Sequence, residues 1–82
     1  MTTKTLPLTD LLLDILRTEY GVPDSTDADT GFDTLDFDSL VLLELAVDLS
    51  RRFDVEVADD ELQAAGTVAA MADLLTSKGV QV

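Results

Sequence analysis

Apolar residues recur along the chain in three helical stripes, separated by stretches that have no sustained period. Leu8, Leu11, Leu12 and Ile15 follow the i, i+3, i+4, i+7 spacing of one helix face, and Leu16 widens it. Asp10, Asp14 and Arg17 are expected to face water. Thr5 reads as the N-cap with Pro7 in the first turn, and Gly21 followed by Pro23 ends the segment. Residues 21–37, GVPDSTDADTGFDTLDF, are rich in turn formers and show neither helical nor strand period. Structureless loops longer than about 12–15 residues are uncommon in compact domains and are often functional. Phe32, Leu35 and Phe37 are expected to tuck into the core and hold this loop down.

The second stripe runs from Ser39 to Phe53, with Asp38 as N-cap. Leu42, Leu45, Ala46, Leu49 and Phe53 cluster on one side at about 100° per residue and form a buried face. The opposite side carries Leu40, Glu44, Val47, Asp48 and Arg51, with Leu43 on its flank. A plain solvated face would be polar throughout, whereas this one mixes three large apolar residues with acids. Two readings stand at this point: a partner-binding surface, or a wide arc covered by other helices. Arg51 and Arg52 suit the negative end of the helix dipole.

Beyond Phe53, Val55 and Val57 alternate with acids and predict a short extended connector. Asp59 is expected to cap a small helix over residues 60–65 that Gly66 stops, and Thr67 to cap a last helix with Val68, Met71, Ala72 and Leu75 inside. Lys78 and Gly79 end it. The expected fold is all-α, a small four-helix bundle of three main helices and one short one, with a long first loop. Eighty-two residues allow one domain, residues 1–82, and no second core.

Composition removes whole classes of chemistry. Without Cys there are no disulfides, thiolate nucleophiles or zinc–sulfur sites, and without His the commonest general base and metal ligand are missing. Neither Ser–His nor Cys–His pairs can form within the chain, so no catalytic residue is assigned. The acids of the first loop do not make an EF-hand. With Gly31 at the turn position, the ligand positions fall on Thr26, Ala28, Thr30 and Phe37, and no metal site is expected. No segment approaches the about 20 apolar residues of a membrane span, and the N-terminus does not read as a signal peptide, so a cytoplasmic location is expected.

The net charge is −12, yet 46% of residues are hydrophobic, which separates the chain from disordered acidic sequences. From Thr18 to Ser50 there is no Lys or Arg, while nine acids fall there: Glu19, Asp24, Asp27, Asp29, Asp33, Asp36, Asp38, Glu44 and Asp48. Such a surface repels nucleic acid and anionic membranes and steers basic protein surfaces toward it.

Asp-Ser-Leu at a helix start is weak evidence by itself, because Asp and Ser are ordinary capping residues. Its surroundings are more specific. Residues 35–62, LDFDSLVLLELAVDLSRRFDVEVADDEL, resemble the signature region of acyl carrier proteins. That region is a Leu-Gly-x-Asp-Ser-Leu box, a helix of Leu, Val and Glu, a Phe, an extended connector and an acidic short helix. The first helix, the long loop and a final Thr-Val-led helix extend the resemblance over the chain. The resemblance implies that Ser39 receives 4′-phosphopantetheine from coenzyme A through a separate phosphopantetheinyl transferase. It implies that Asp38 is the acid before the attachment serine and Leu40 the apolar residue after it. Leu43, Glu44 and Val47 match partner contacts on the second helix, and Asp48 lies on the same face.

The implied protein is a non-catalytic, monomeric carrier that presents acyl or polyketide thioesters to ketosynthases and other acyl-processing enzymes with basic surfaces. A dissociated (type II) polyketide or fatty-acid pathway is expected. Alternatives are an aminoacyl or peptidyl carrier, whose box usually reads Gly-Gly-x-Ser, and an unmodified acidic helical adaptor. Two positions depart from the pattern. Asp36 stands where the box has Gly, and Arg51 lies on a face that is acidic in many relatives.

Overall fold

The computed structural model describes residues 8–80, which form four helices: α1 (Leu8–Glu19), α2 (Ser39–Phe53), α3 (Asp59–Ala65) and α4 (Val68–Ser77). Among the described residues there is no strand, and one isolated bridge joins Gly31 to Thr67. This is the expected all-α bundle. The expected cap at Thr5 and the turn at Pro7 lie outside the described residues.

The core is built from the three stripes. Leu12 and Leu16 of α1, Leu45 and Leu49 of α2, Leu62 of α3, and Val68, Met71 and Leu75 of α4 are the largest fully enclosed side chains. Each buried Leu removes enough apolar surface from water to stabilise the fold by roughly 1.5–3 kcal/mol. Leu13 is also buried, one position beyond the stripe expected for α1. α2 packs on α3 and α1 on α4, whereas no Cα of α1 lies within 8 Å of one in α2.

Local chemistry sets the helix ends. Asp38 accepts from the Val41 N–H at 2.9 Å and Thr67 Oγ1 from the Ala70 N–H at 3.1 Å, so two expected caps are present. α2 ends on Asp54 in the left-handed conformation, its N–H bonded to the Ser50 carbonyl. The third cap differs from expectation: α3 includes Asp59, and Ala58 is its N-cap. The reason is Glu61, whose Oε1 accepts from the Ala58 N–H at 3.0 Å and supplies the capping interaction from inside the helix. That bond, helped by Lys78, holds the Glu61 carboxyl below the usual carboxylate range.

The long first loop is pinned by backbone bonds that no local pattern announces. Phe32 N–H donates to the Gly66 carbonyl at 2.8 Å and Ala69 N–H to the Ala28 carbonyl at 2.9 Å. Phe32 is buried, Leu35 and Phe37 are half-buried against the core, and the Phe32 and Phe37 rings stack at 5.7 Å. Arg17 does not simply face water. Its Nη2 donates to the Thr26 carbonyl at 2.7 Å, tying α1 to the loop, and its Nε is enclosed without a partner. Val55 and Val57 are half-buried in a connector that forms no strand. Ser50 Oγ accepts from the Val57 N–H at 3.0 Å and donates to the Ala46 carbonyl at 2.7 Å, fastening that connector to α2.

Candidate functional site: the head and outer face of α2

The loop and α2 meet at Asp36-Phe37-Asp38-Ser39. Asp36 has φ +59°, a left-handed backbone that L-residues adopt at a cost and that Asp and Asn tolerate better than most. The structure thus gives a physical reason for glycine at this position of the box. Phe37 then turns inward, Asp38 caps the helix, and Ser39 occupies the first helical position, exposed to solvent.

The Ser39 hydroxyl makes no hydrogen bond among the described residues, and no His exists to activate it. Asp38 takes the Val41 N–H, but the N–H groups of Ser39 and Leu40 have no partner within the helix, as geometry requires at any helix start. A depression of about 390 Å3 leads away from Ser39, walled by Phe32, Phe37 and Leu42, with Gln63 and Gly66 across it. The site thus combines an exposed hydroxyl and a positive helix end with a groove that Asp33 and Asp38 also line.

Along the outer face of α2, Leu40, Leu43 and Val47 are 61%, 46% and 49% exposed. No other described element covers them, so this arc is not buried under another described helix. Glu44 is exposed beside them, whereas Asp48 is half-buried and already engaged. Its Oδ1 accepts from Arg52 Nε at 2.9 Å and its Oδ2 from the Tyr20 hydroxyl at 3.4 Å, while Arg52 also pairs with Glu19. The geometry thus brings Ser39, Asp38, Leu40, Leu43, Glu44 and Val47 onto one open surface and holds Asp48 at its edge. Burial first, then the Asp48 charge and hydrogen bond, push the Tyr20 phenol up to about 12. The two hydrogen bonds to acids likewise raise Arg52 above its ordinary value.

Sequence reasoning missed the Glu19–Arg52–Asp48–Tyr20 clasp. Tyr20 lies four residues after Leu16, so its inward direction follows from helical spacing, but its partners are 28 residues away or more. Gln63 was equally invisible, because the fold alone brings α3 beside the loop. Among the described residues, no group of three or more His, Cys, Asp or Glu is placed to hold a metal ion.

A family described as the phosphopantetheine attachment site matches residues 10–75. The chain belongs to the acyl carrier protein family. An acyl carrier protein of Bdellovibrio bacteriovorus is 37% identical over 68 residues, covering 80% of this chain and 87% of the relative. The polyketide-8 synthase acyl carrier protein 2 of Streptomyces avermitilis is 35% identical over 71 residues, covering 87% and 79%. No solved structure matches the chain. The carrier's prosthetic group is covalently attached 4′-phosphopantetheine, and its role is to hold acyl groups for acyl-processing enzymes rather than to catalyse. Among the described residues no helix is long and apolar enough to cross a membrane.

Proposed function

We propose that Ser39 is the attachment residue and that the chain is a stand-alone type II carrier, of a polyketide rather than a fatty-acid pathway. The observation that carries this reading is the free, exposed Ser39 hydroxyl directly after the Asp38 cap, at the head of an uncovered apolar-and-acidic helix face. With no base in reach, Ser39 serves as an acceptor whose activation comes from a separate transferase. The phosphodiester formed there gains from the open N–H groups and the positive end of α2. The thiol at the far end of the arm supplies the thioester chemistry, so the absence of Cys is no obstacle. Supporting the polyketide assignment are the name of the Streptomyces relative and the departures at Asp36 and Arg51.

In this reading Asp38 orients the attachment site, Leu40, Leu43 and Val47 give the apolar contacts, and Glu44 and Asp48 steer basic partners such as the transferase and a ketosynthase. One domain spans residues 1–82, works as a monomer and resides in the cytoplasm. Interfaces that must release quickly are small and charge-steered, which suits this face.

Intact mass after incubation with coenzyme A and a promiscuous phosphopantetheinyl transferase tests the attachment. One phosphopantetheine is expected on the native chain and none on Ser39→Ala. An unmodified native chain, under conditions that load a control carrier, would refute the assignment. Glu44→Lys is expected to slow acyl transfer to a ketosynthase at low salt without lowering the melting temperature. Asp48→Lys is expected to slow transfer and also to destabilise, because it breaks the clasp with Arg52 and Tyr20. Equal transfer rates for native and Glu44→Lys carriers at low ionic strength would remove the steering role.

A further inference from the structure

An open groove of about 550 Å3 lies between the end of α1 and the outer face of α2. Its floor is apolar, from Leu43 and Val47, and Tyr20 closes one side. Glu44 and Arg51, both exposed, stand at its rim. The cations of the described residues are not equivalent. Arg52 is spent on Glu19 and Asp48, Lys78 pairs with Glu61 at 3.0 Å, and Arg17 donates to a carbonyl. Arg51 makes no ion pair or hydrogen bond among the described residues, although seventeen acids surround five cations in the chain. Helical spacing explains why. The residue four positions before Arg51 is Val47, whereas Arg52 has Asp48 at i−4 and occupies its carboxylate.

We infer that Arg51 is a specificity-determining residue of the docking face, reserved for a carboxylate on the partner enzyme. The inference rests on the carrier reading above and sharpens what its partner must look like. The fitting partner places an apolar side chain in the Leu43/Val47/Tyr20 groove, a cation against Glu44, and an acid against Arg51. A partner whose docking face is uniformly basic meets Arg51 as a like charge and is disfavoured. Tyr and Arg are also among the residue types that most often dominate interface energies once a partner excludes water from an apolar patch beside them. Arg51 lies about 18 Å along the helix from Ser39, so loading and docking can be measured separately.

The test uses the full-length holo-carrier loaded with malonyl, and the ketosynthase that turns over fastest with it out of a panel of purified enzymes. Arg51→Glu is expected to lower kcat/KM by about tenfold, mainly through KM, with Arg51→Gln between it and the native chain. Reversing one acidic residue on the ketosynthase docking face to Arg is expected to restore the Arg51→Glu carrier. Phosphopantetheine loading at Ser39, followed alongside, is expected to change little. The melting temperature is expected to fall modestly in Arg51→Glu, which puts a negative charge at the helix C-terminus, and less in Arg51→Gln. Unchanged or faster transfer by Arg51→Glu overturns the inference, as does equal loss in Arg51→Gln and Arg51→Glu with no rescue by any acidic reversal. Failure of the native chain to load phosphopantetheine would instead overturn the carrier reading itself.

Discussion

Asp36 and Asp38 lie two positions apart and pull stability in opposite directions. Asp38 satisfies one of the free N–H groups of α2 and places a negative charge at the positive helix end, so Asp38→Ala is expected to cost about 1 kcal/mol. Asp36 sits in the left-handed region, where most L-residues lose about 1–2 kcal/mol and Asp somewhat less. Glycine would remove that cost and lose part of the gain to unfolded-chain entropy. Asp36→Gly is therefore expected to raise stability by about 0.5 kcal/mol, and Asp36→Ala to lower it, both read from denaturant midpoints. Equal stability of the Gly and Ala variants would show that the left-handed backbone carries no cost here.

The first loop behaves as a structural element although it has no helix or strand. Its bonds to Gly66 and from Ala69, the Arg17 contact and the Phe32–Phe37 stack make it a fixed wall beside Ser39. Phe32→Ala is expected to destabilise by about 3–5 kcal/mol and to disturb the groove next to the attachment site. Beside this wall, with the Tyr20 ring 6.3 Å from that of Phe37, α1 and α2 are joined through side chains: Tyr20 and Arg52 reach across to Asp48 and Glu19. The Tyr20 phenol holds its proton up to about 12 in the folded protein, against 10.0 in the unfolded chain. Its contribution is therefore fully present below pH 10 and is lost as pH rises toward 12. The melting temperature of the native protein is expected to fall more steeply across that window than that of Tyr20→Phe. Parallel curves for the two proteins would show that Tyr20 does not couple proton binding to folding.

A net charge of −12 on one small bundle makes self-repulsion a property of the entire surface. Added salt shortens the range of that repulsion, and divalent cations reduce it further, so both are expected to raise the melting temperature. The surface ion pairs Arg52–Glu19 and Lys78–Glu61 are screened by the same salt, but such pairs contribute little. A melting temperature that falls with ionic strength would show that the pairs outweigh the repulsion. The same acidic field would serve the steering of basic partners proposed above.

Much of this protein follows from local rules that act within a few residues. The periods of 8–16, 39–53 and 68–75 set the helices and their buried faces, because burying one stripe is the dominant stabilising term. Asp38 and Thr67 mark helix starts because their side chains bond N–H groups three residues away. The Asp-Ser-Leu box and its surroundings carry the family resemblance in the sequence itself. Tertiary structure decided what depends on distant partners: that, among the described residues, nothing covers Leu40, Leu43 and Val47, that Asp48 is clasped while Arg51 has no partner there, and that the loop docks on the α3–α4 junction. It also explained Asp36, whose positive φ is imposed where the loop turns into the capped helix. Such pairings join residues that are far apart in the chain. No periodicity encodes them, because they depend on where helix packing brings the two surfaces together.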